Sequence, residues 1–252
     1  MDAYSLGARE QYAWQVATQD QWRQCMTRFG FKSFNPPSAS TETAIAASDI
    51  DMGRRYGISD PEAAKTRGYH LPVTPEPPRW EPAKGAEEAV FTGNGKEVVN
   101  GLYAGQKVPE GGCRGEAKRA FPVPQTPEAA NVEGRAFAAA QQDPAVVQAF
   151  DQWSACMGQS GLDVKTPLDD LAALGVTLEG PNPGSREMAI AVSDVECKRK
   201  TGLIALWHNK EEREQRSEIA NSASKLDVER EVKDGVVKKA IQAYKSKMQE
   251  SQ

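Results

Sequence analysis

The sequence predicts an all-α fold: duplicated, disulfide-clamped helix pairs with a proline-rich insertion and a long C-terminal helix or helical hairpin. Three observations lead to this prediction, namely a sequence repeat, apolar residues at helical spacing in each copy, and four cysteines. Leu, Ile, Val and Phe make up only 43 of the 252 residues, or 17%, which limits the hydrophobic core. Because the net charge is only −4 and alanine is plentiful, a thin helical core is expected rather than disorder.

Two blocks of sequence occur twice, each in a fixed register. Residues 22–30 recur as residues 153–161, at an offset of 131, and both read Trp-x-x-Cys-Met-x-x-x-Gly. Residues 44–58 recur as residues 189–203 at an offset of 145, so the second copy carries 14 more residues between its blocks. Identities at Trp, Cys, Met, Ser, Asp and Gly in one register indicate a duplication.

Each copy is expected to form two helices joined by a loop. In the first copy, apolar residues recur at steps of three and four from Tyr12 to Phe29, which is typical of a helix with one apolar face. In the second copy, Asp143 is a suitable N-cap and Pro144 suits the first helical position. The second helices are predicted to start after hydroxyl caps and to end at glycine: Ser40 or Thr41 to Gly57, and Ser185 to Gly202.

The repeat also predicts how the cysteines pair. Cys156 and Cys197 lie on the two helices of the second copy, where antiparallel packing could bring them within disulfide reach. In the first copy Cys25 matches Cys156, but Met52 stands at the position that matches Cys197. That leaves Cys113 for Cys25, so we predict Cys25–Cys113 and Cys156–Cys197. Four free thiols in a reducing compartment are the alternative.

The other segments complete the expected architecture. Residues 59–112 form the proline-rich insertion, which places the first copy in a domain of residues 1–125 and the second in a domain of residues 126–252. After residue 202 the pattern is long and helical, without proline from residue 208 onwards. This polar helix must fold back on the first copy, pair with another chain, or fray, and we expect a bend or a register change near Asp234-Gly235.

The second copy resembles a known group of proteins, and the likeness extends weakly to Gly111-Gly112-Cys113-x-Gly115-Glu116-Ala117, so that it spans most of the chain. Trp153-Ser154-x-Cys156-Met157, followed by Val195-x-Cys197-Lys198-x-Lys200-Thr201-Gly202-Leu203, is similar to exported actinobacterial proteins, many of them predicted lipoproteins without an assigned activity. The resemblance implies an exported or cell-envelope protein. No cysteine precedes Cys25, so the lipid-bearing residue of such lipoproteins is missing from this chain.

Composition and motifs exclude several classes of function. With 31 basic and 35 acidic side chains, the chain lacks the basic surplus of nucleic-acid-binding proteins. No apolar run reaches the length of about 18 residues that marks a transmembrane helix. No catalytic motif and no metal-ligand spacing occurs, so we expect no catalytic residue, no metal and no cofactor. His70 and His208 are expected at the surface.

Three residues remain as weak candidates for ligand contact: Trp80, Asp49 and Asp194. Trp80 stands in a proline-rich loop, where an aromatic ring can be exposed. Asp49 and Asp194 occupy the same position in the repeated Ser-Asp-x-[Asp/Glu] motif, which also contains Asp51 and Glu196. Because residues two apart point in different directions on a helix, these carboxylates do not form a ready-made cation site.

From these observations we expect a non-catalytic exported or cell-envelope protein, at the cell surface or secreted, that binds a partner or ligand. One alternative is a cytosolic coiled-coil adaptor with free thiols, and another is a hydrolase that uses the duplicated carboxylates. The expected partners are a protein or a second copy, bound through residues 203–252. We expect no nucleic acid, and a membrane surface only through an anchor that, like the export signal, is not in this chain.

Overall fold

The fold is all-α, as predicted. The computed structural model describes residues 1–46, 53–71, 80–169, 171–178, 180 and 182–250. The helices in chain order are α1 (Ala8–Arg28), α2 (Thr41–Ala46), α3 (Pro61–Arg67), α4 (Ala86–Thr92), α5 (Gly112–Ala120), α6 (Pro127–Gln141), α7 (Pro144–Gly158), α8 (Ser185–Thr201), α9 (Leu203–Asn221) and α10 (Ala223–Glu250). A short antiparallel hairpin of β1 (Leu102–Tyr103) and β2 (Gln106–Lys107) and a 3₁₀ turn at Leu171–Leu174 complete the secondary structure of these residues.

The chain divides into two compact units. Unit 1 contains Met1–Asp51, Glu76–Ala129 and Ser224–Gln252, and unit 2 contains Met52–Pro75 and Ala130–Ala223. The predicted division into residues 1–125 and 126–252 rests on the sequence repeat and stays a prediction.

The core of unit 1 is built on α1, which packs against α2, α4 and α5. Its largest apolar cluster surrounds the disulfide between α1 and α5 and contains the buried side chains Met26, Phe34, Val90, Phe91 and Val108. A smaller cluster joins Ala17 of α1 and Phe121 to Ala240 of α10. The long C-terminal helix therefore folds back on the first copy, one of the three arrangements expected for it.

Gly235 does not end the C-terminal helix, because α10 runs without a break from Ala223 to Glu250; the expected bend or register change near Asp234-Gly235 stays a prediction. One exposed glycine costs a helix only about 1 kcal/mol, and α10 has buried residues on both sides of it, among them Leu226 and Val237. The helix breaks earlier, at Ser222, whose N–H donates to the Glu218 carbonyl at 2.9 Å.

Unit 2 is organised by α7, α8 and α9, which pack against one another. Its main core contains Trp153, Met157, Ile190, Leu203 and Trp207, all buried. A second apolar cluster forms where α3 packs on α8. It contains Ile58 from the loop before α3, Ala64 of α3, and Ala191 and Val195 of α8.

The first helices of the two copies end in the same way. Gly30 and Gly161 both have positive φ, at 91° and 74°, a conformation that glycine adopts without steric cost. The residue after each glycine donates its N–H to the carbonyl of Met26 or Met157, at 3.1 and 3.2 Å. This is the hydrogen bond of a Schellman motif, and it occurs at the same offset as the sequence repeat.

The helix starts are close to those predicted. Asp143 is the N-cap of α7 and accepts the Ala145 N–H at 2.9 Å, which confirms the prediction. α2 starts at Thr41, but the N-cap of α8 is Gly184 and not the predicted Ser185. Glycine is tolerated at the N-cap almost as well as a hydroxyl residue, so the helix starts one residue earlier than its serine indicates.

Both predicted disulfides are present. Cys25 pairs with Cys113 and Cys156 with Cys197, with Cα atoms 5.5 and 5.7 Å apart, and none of the four cysteines is free. The alternative with four free thiols is therefore not what the structure shows. Since disulfides persist in oxidising compartments, the two bonds indicate an extracytoplasmic environment. In the described part of the chain, no helix combines the length and the apolar character needed to cross a bilayer.

We expect removal of either disulfide to lower the free energy of unfolding substantially. The bonds join residues 88 and 41 positions apart, and loop closure on that scale contributes up to about 4.6 and 4 kcal/mol, respectively. Urea unfolding of Cys25→Ala/Cys113→Ala and Cys156→Ala/Cys197→Ala should show lower midpoints than the parent protein. The exposed Ser217→Ala is the control, with a change within about 0.5 kcal/mol. Unchanged midpoints in both disulfide variants would contradict the expected contribution.

Candidate functional site

Asp194, the described member of the two predicted acidic candidates, lies in a buried ion pair within unit 2. It is only 3% exposed and Lys198 only 2%. The Lys198 Nζ donates to Asp194 Oδ2 at 3.1 Å and to the Ile58 carbonyl at 3.0 Å. Because positions i and i+4 share one face of a helix, α8 itself brings the two charges together.

Two aromatic residues complete the surroundings of this carboxylate. Trp153 Nε1 donates to Asp194 Oδ1 at 3.0 Å, and the Tyr69 hydroxyl donates to Oδ2 at 3.2 Å. Trp153 is on α7 and Tyr69 follows α3, so the carboxylate joins both to α8. The repeated tryptophan is thus a core residue that also donates a hydrogen bond, and Asp194 is satisfied within the unit.

Burial controls the protonation of this pair. Desolvation raises the pKa of Asp194 although Lys198, Trp153 and Tyr69 stabilise the carboxylate. Desolvation lowers the pKa of Lys198 against the attraction of Asp194. Both pKa shifts have the same cause, because burial penalises the charged form of each group. Burial and the Asp194 carboxylate also raise the pKa of Tyr69, which keeps its hydroxyl a donor.

A second buried carboxylate, that of Glu187, holds the loop after α3. Glu187 accepts the Tyr69 N–H at 2.8 Å and lies 3.3 Å from His70 Nε2. Arg54 donates to the carbonyls of Tyr69 and His70, at 3.1 and 3.0 Å. The His70 side chain is 14% exposed, so it is partly buried and not at the open surface as expected; its partial burial results from packing against α8, which local sequence does not reveal.

Glu211 on α9 is the third buried carboxylate of unit 2. It accepts from Arg55 Nε at 2.6 Å and from the Tyr56 hydroxyl at 2.7 Å. The Arg55 guanidinium also lies over the Phe137 ring, 4.7 Å from its centroid. His208 is exposed, as expected, with Nδ1 3.3 Å from the Tyr56 hydroxyl. The three buried carboxylates thus all have hydrogen-bond partners within the unit.

The remaining acidic candidates do not meet in one site. Glu196 is exposed on α8 and borders a small pocket of about 170 Å³ with Lys65 and Arg199. Asp49 and Asp51 lie outside the described residues. Among the residues that the structure describes, no group of three or more His, Cys, Asp or Glu side chains is placed to hold a metal ion.

Trp80 is half-buried in unit 1 rather than exposed in a loop. Its ring lies parallel to Trp22, with centroids 6.5 Å apart, and its edge contacts are with Phe34 and Phe91, at 5.3 and 5.7 Å. The ring is part of the aromatic core around the Cys25–Cys113 disulfide. Its role as a ligand contact stays a prediction.

Unit 1 also contains an apolar groove that sequence reasoning missed. It has a volume of about 430 Å³ and lies between α1, α2 and the C-terminal part of α10. Its walls include Tyr12, Ile45, Ile241 and Tyr244, and the two tyrosine rings meet edge to face with centroids 6.0 Å apart. Helical spacing indicated the apolar faces of α1 and α10, but it does not show which faces meet or that a gap remains between them.

Two basic residues, Arg9 and Lys245, border this groove. Almost no polar surface faces its interior, so they line it with their hydrocarbon stems and leave their charged groups at the rim, as long basic side chains commonly do. Both are exposed, and neither forms an ion pair with another described residue. The groove therefore combines an apolar interior with a positively charged rim.

Comparisons with known proteins show no relationship for this chain. No family model matches the sequence, no curated protein is significantly similar to it, and no solved structure matches the fold significantly.

We expect Lys198→Met to be strongly destabilising, because it leaves the buried Asp194 carboxylate without its counter-ion. Breaking a buried pair by removing one partner costs about 3–5 kcal/mol. The double variant Asp194→Asn/Lys198→Met removes both charges and keeps an acceptor for Trp153, so it should lose much less. Urea unfolding at pH 7 measures both, with the exposed Glu196→Gln as the control.

The effect of Lys198→Met should also depend on pH. Burial raises the pKa of Asp194. Without Lys198 the folded state binds the Asp194 proton still more tightly than the unfolded state, in which the carboxyl has a pKa of about 4. The loss of stability should therefore be largest at neutral pH and should shrink as the pH falls towards 4. A loss that is independent of pH, or equal in the double variant, would argue against a paired Asp194.

Proposed function

We propose that the protein is a non-catalytic extracytoplasmic binding protein, secreted or at the cell surface, which takes a ligand into the groove of unit 1. The observation that carries this proposal is an open apolar groove of about 430 Å³ in a chain with few large apolar residues. Ligand sites in proteins are mostly apolar and have volumes of about 300–1,000 Å³, and this groove falls within that range.

The exposure of the groove supports a binding role. Burial of apolar surface is the main source of folding free energy, and only 17% of this chain is Leu, Ile, Val or Phe. Even so, Ile45 is 52% exposed at the groove. A bound hydrocarbon would cover the surface that the fold itself leaves in contact with water.

The polar network of unit 2 supports the non-catalytic part of the proposal. A general base or nucleophile needs a free lone pair directed towards a substrate. Asp194 instead accepts from Lys198, Trp153 and Tyr69. This arrangement gives no reason to prefer the hydrolase alternative.

The location outside the cytoplasm is supported by the two disulfides and by the resemblance to exported proteins. Disulfides are rare in cytosolic proteins because the thiols are kept reduced there. Secretion and attachment at the cell surface are both compatible with this support.

We expect wild-type protein to bind the neutral probe N-phenylnaphthylamine with a rise in fluorescence. Ile45→Glu places a carboxylate on the groove wall, where burial without a partner is unfavourable, so this variant should bind at least about tenfold more weakly. Val99→Glu is the matched control, because Val99 is 62% exposed and does not line the groove. Absence of binding by the wild type, or equal binding by the two variants, would contradict the proposal.

A second candidate function is self-association through residues 203–252. Val228 and Val232 lie one turn apart on α10 and are 63% and 56% exposed, so they form a small apolar patch on one face of the helix. If this face joins two copies, sedimentation should show a dimer that Val228→Lys/Val232→Lys converts to a monomer. A wild-type protein that is monomeric at high concentration would remove this candidate.

A further inference from the structure

We propose that the ligand of the unit 1 groove is a single-chain anionic amphiphile, with its hydrocarbon tail in the groove and its acidic head at Arg9 and Lys245. This inference rests on the proposed binding function and adds the chemical class of the ligand. A fatty acid is the simplest molecule of this class.

The apolar interior of the groove favours a hydrocarbon tail on the ligand. Ile45, Ile241 and the rings of Tyr12 and Tyr244 face it, and almost no polar surface does. A peptide segment placed there would lose water from its N–H and C=O groups without finding partners, which is strongly unfavourable. An alkyl chain has no polar group to satisfy, so the lining favours it over a peptide.

The basic rim of the groove favours an acidic head group on the ligand. Among the described residues that line the groove, Arg9 and Lys245 are the two cationic ones. Glu10, the acidic residue next to Arg9 in the sequence, is directed elsewhere. Its Oε2 accepts the Gly7 N–H at 3.0 Å and lies 3.9 Å from Lys233 Nζ. In the described ranges no acidic side chain forms an ion pair with Arg9 or Lys245. Their positive charge is therefore left for an anion, even though the whole chain carries −4.

The size of the groove favours one chain over two. Its volume of about 430 Å³ lies in the lower part of the range of about 300–1,000 Å³ for ligand pockets. A single chain with one acidic group suits this volume and a rim with two basic residues better than a two-chain lipid does.

The test is displacement of N-phenylnaphthylamine by three ligands with the same tail: decanoate, decanol and decyltrimethylammonium. We expect decanoate to displace the probe at concentrations about tenfold lower than decyltrimethylammonium, with decanol between them, since two exposed ion pairs contribute on this scale. Higher salt should reduce the difference between the charged ligands, because exposed charges are screened.

Variants test whether the preference for decanoate over decyltrimethylammonium depends on Arg9 and Lys245. Arg9→Gln/Lys245→Gln should abolish the difference between decanoate and decyltrimethylammonium. The control is Arg114→Gln/Lys118→Gln, which removes the same charge from exposed positions on α5 outside the groove and should retain the difference. Arg9→Lys/Lys245→Arg keeps both charges and should retain it as well, which separates loss of charge from damage to the groove.

The outcomes distinguish the ligand class from the binding function. Equal displacement by the three ligands, or a preference that survives Arg9→Gln/Lys245→Gln, would overturn the anionic amphiphile and leave the groove as a binding site. Loss of the preference in Arg9→Lys/Lys245→Arg would also overturn the role of the charges. Failure of the wild type to bind the probe at all would overturn the proposed function itself.

Discussion

The rest of the structure depends on two disulfides that compensate for a small hydrophobic core. Each unit contains one of them: Cys25–Cys113 joins α1 to α5 and Cys156–Cys197 joins α7 to α8. The sulfur atoms lie inside the apolar clusters, since Cys25, Cys113 and Cys197 are almost fully buried. A cross-link restricts the unfolded chain as well as holding the folded one, so a fold with little large apolar surface gains most from it.

Buried charged groups are the second feature that determines the fold, and each of them has hydrogen-bond partners. In unit 2 the carboxylates of Asp194, Glu187 and Glu211 accept hydrogen bonds from the segment that contains Arg54 and Tyr69 or from neighbouring helices. A buried ion pair often adds little net stability, because desolvation offsets the attraction between the charges. In this protein the buried charges fix the arrangement of the elements. Each carboxylate finds its hydrogen-bond donors only when the elements that carry them pack as they do in the native structure.

The features that the sequence predicted well are local or repeated. The Asp143 cap and the cysteine pairing follow from residue type and register, and the Schellman-type ends at Gly30 and Gly161 occur at the offset of the repeat. The features that it missed depend on which helix faces meet. The partial burial of His70 requires Glu187, more than a hundred residues away, and the groove requires α1, α2 and α10 to enclose a gap. Gly235 lies within a continuous helix, because packing on both sides of it outweighs its weak helix propensity.

The proposed function connects the groove with the cross-links: a chain fastened covalently can leave part of its scarce apolar surface uncovered, and we propose that a ligand covers it. The claim on which this account rests is the pairing of the cysteines, and non-reducing peptide mapping of alkylated protein from an oxidising compartment tests it most directly. The account predicts two linked peptide pairs, Cys25 with Cys113 and Cys156 with Cys197, and no alkylated cysteine. Alkylated cysteines, or a link between Cys25 and Cys156, would contradict it.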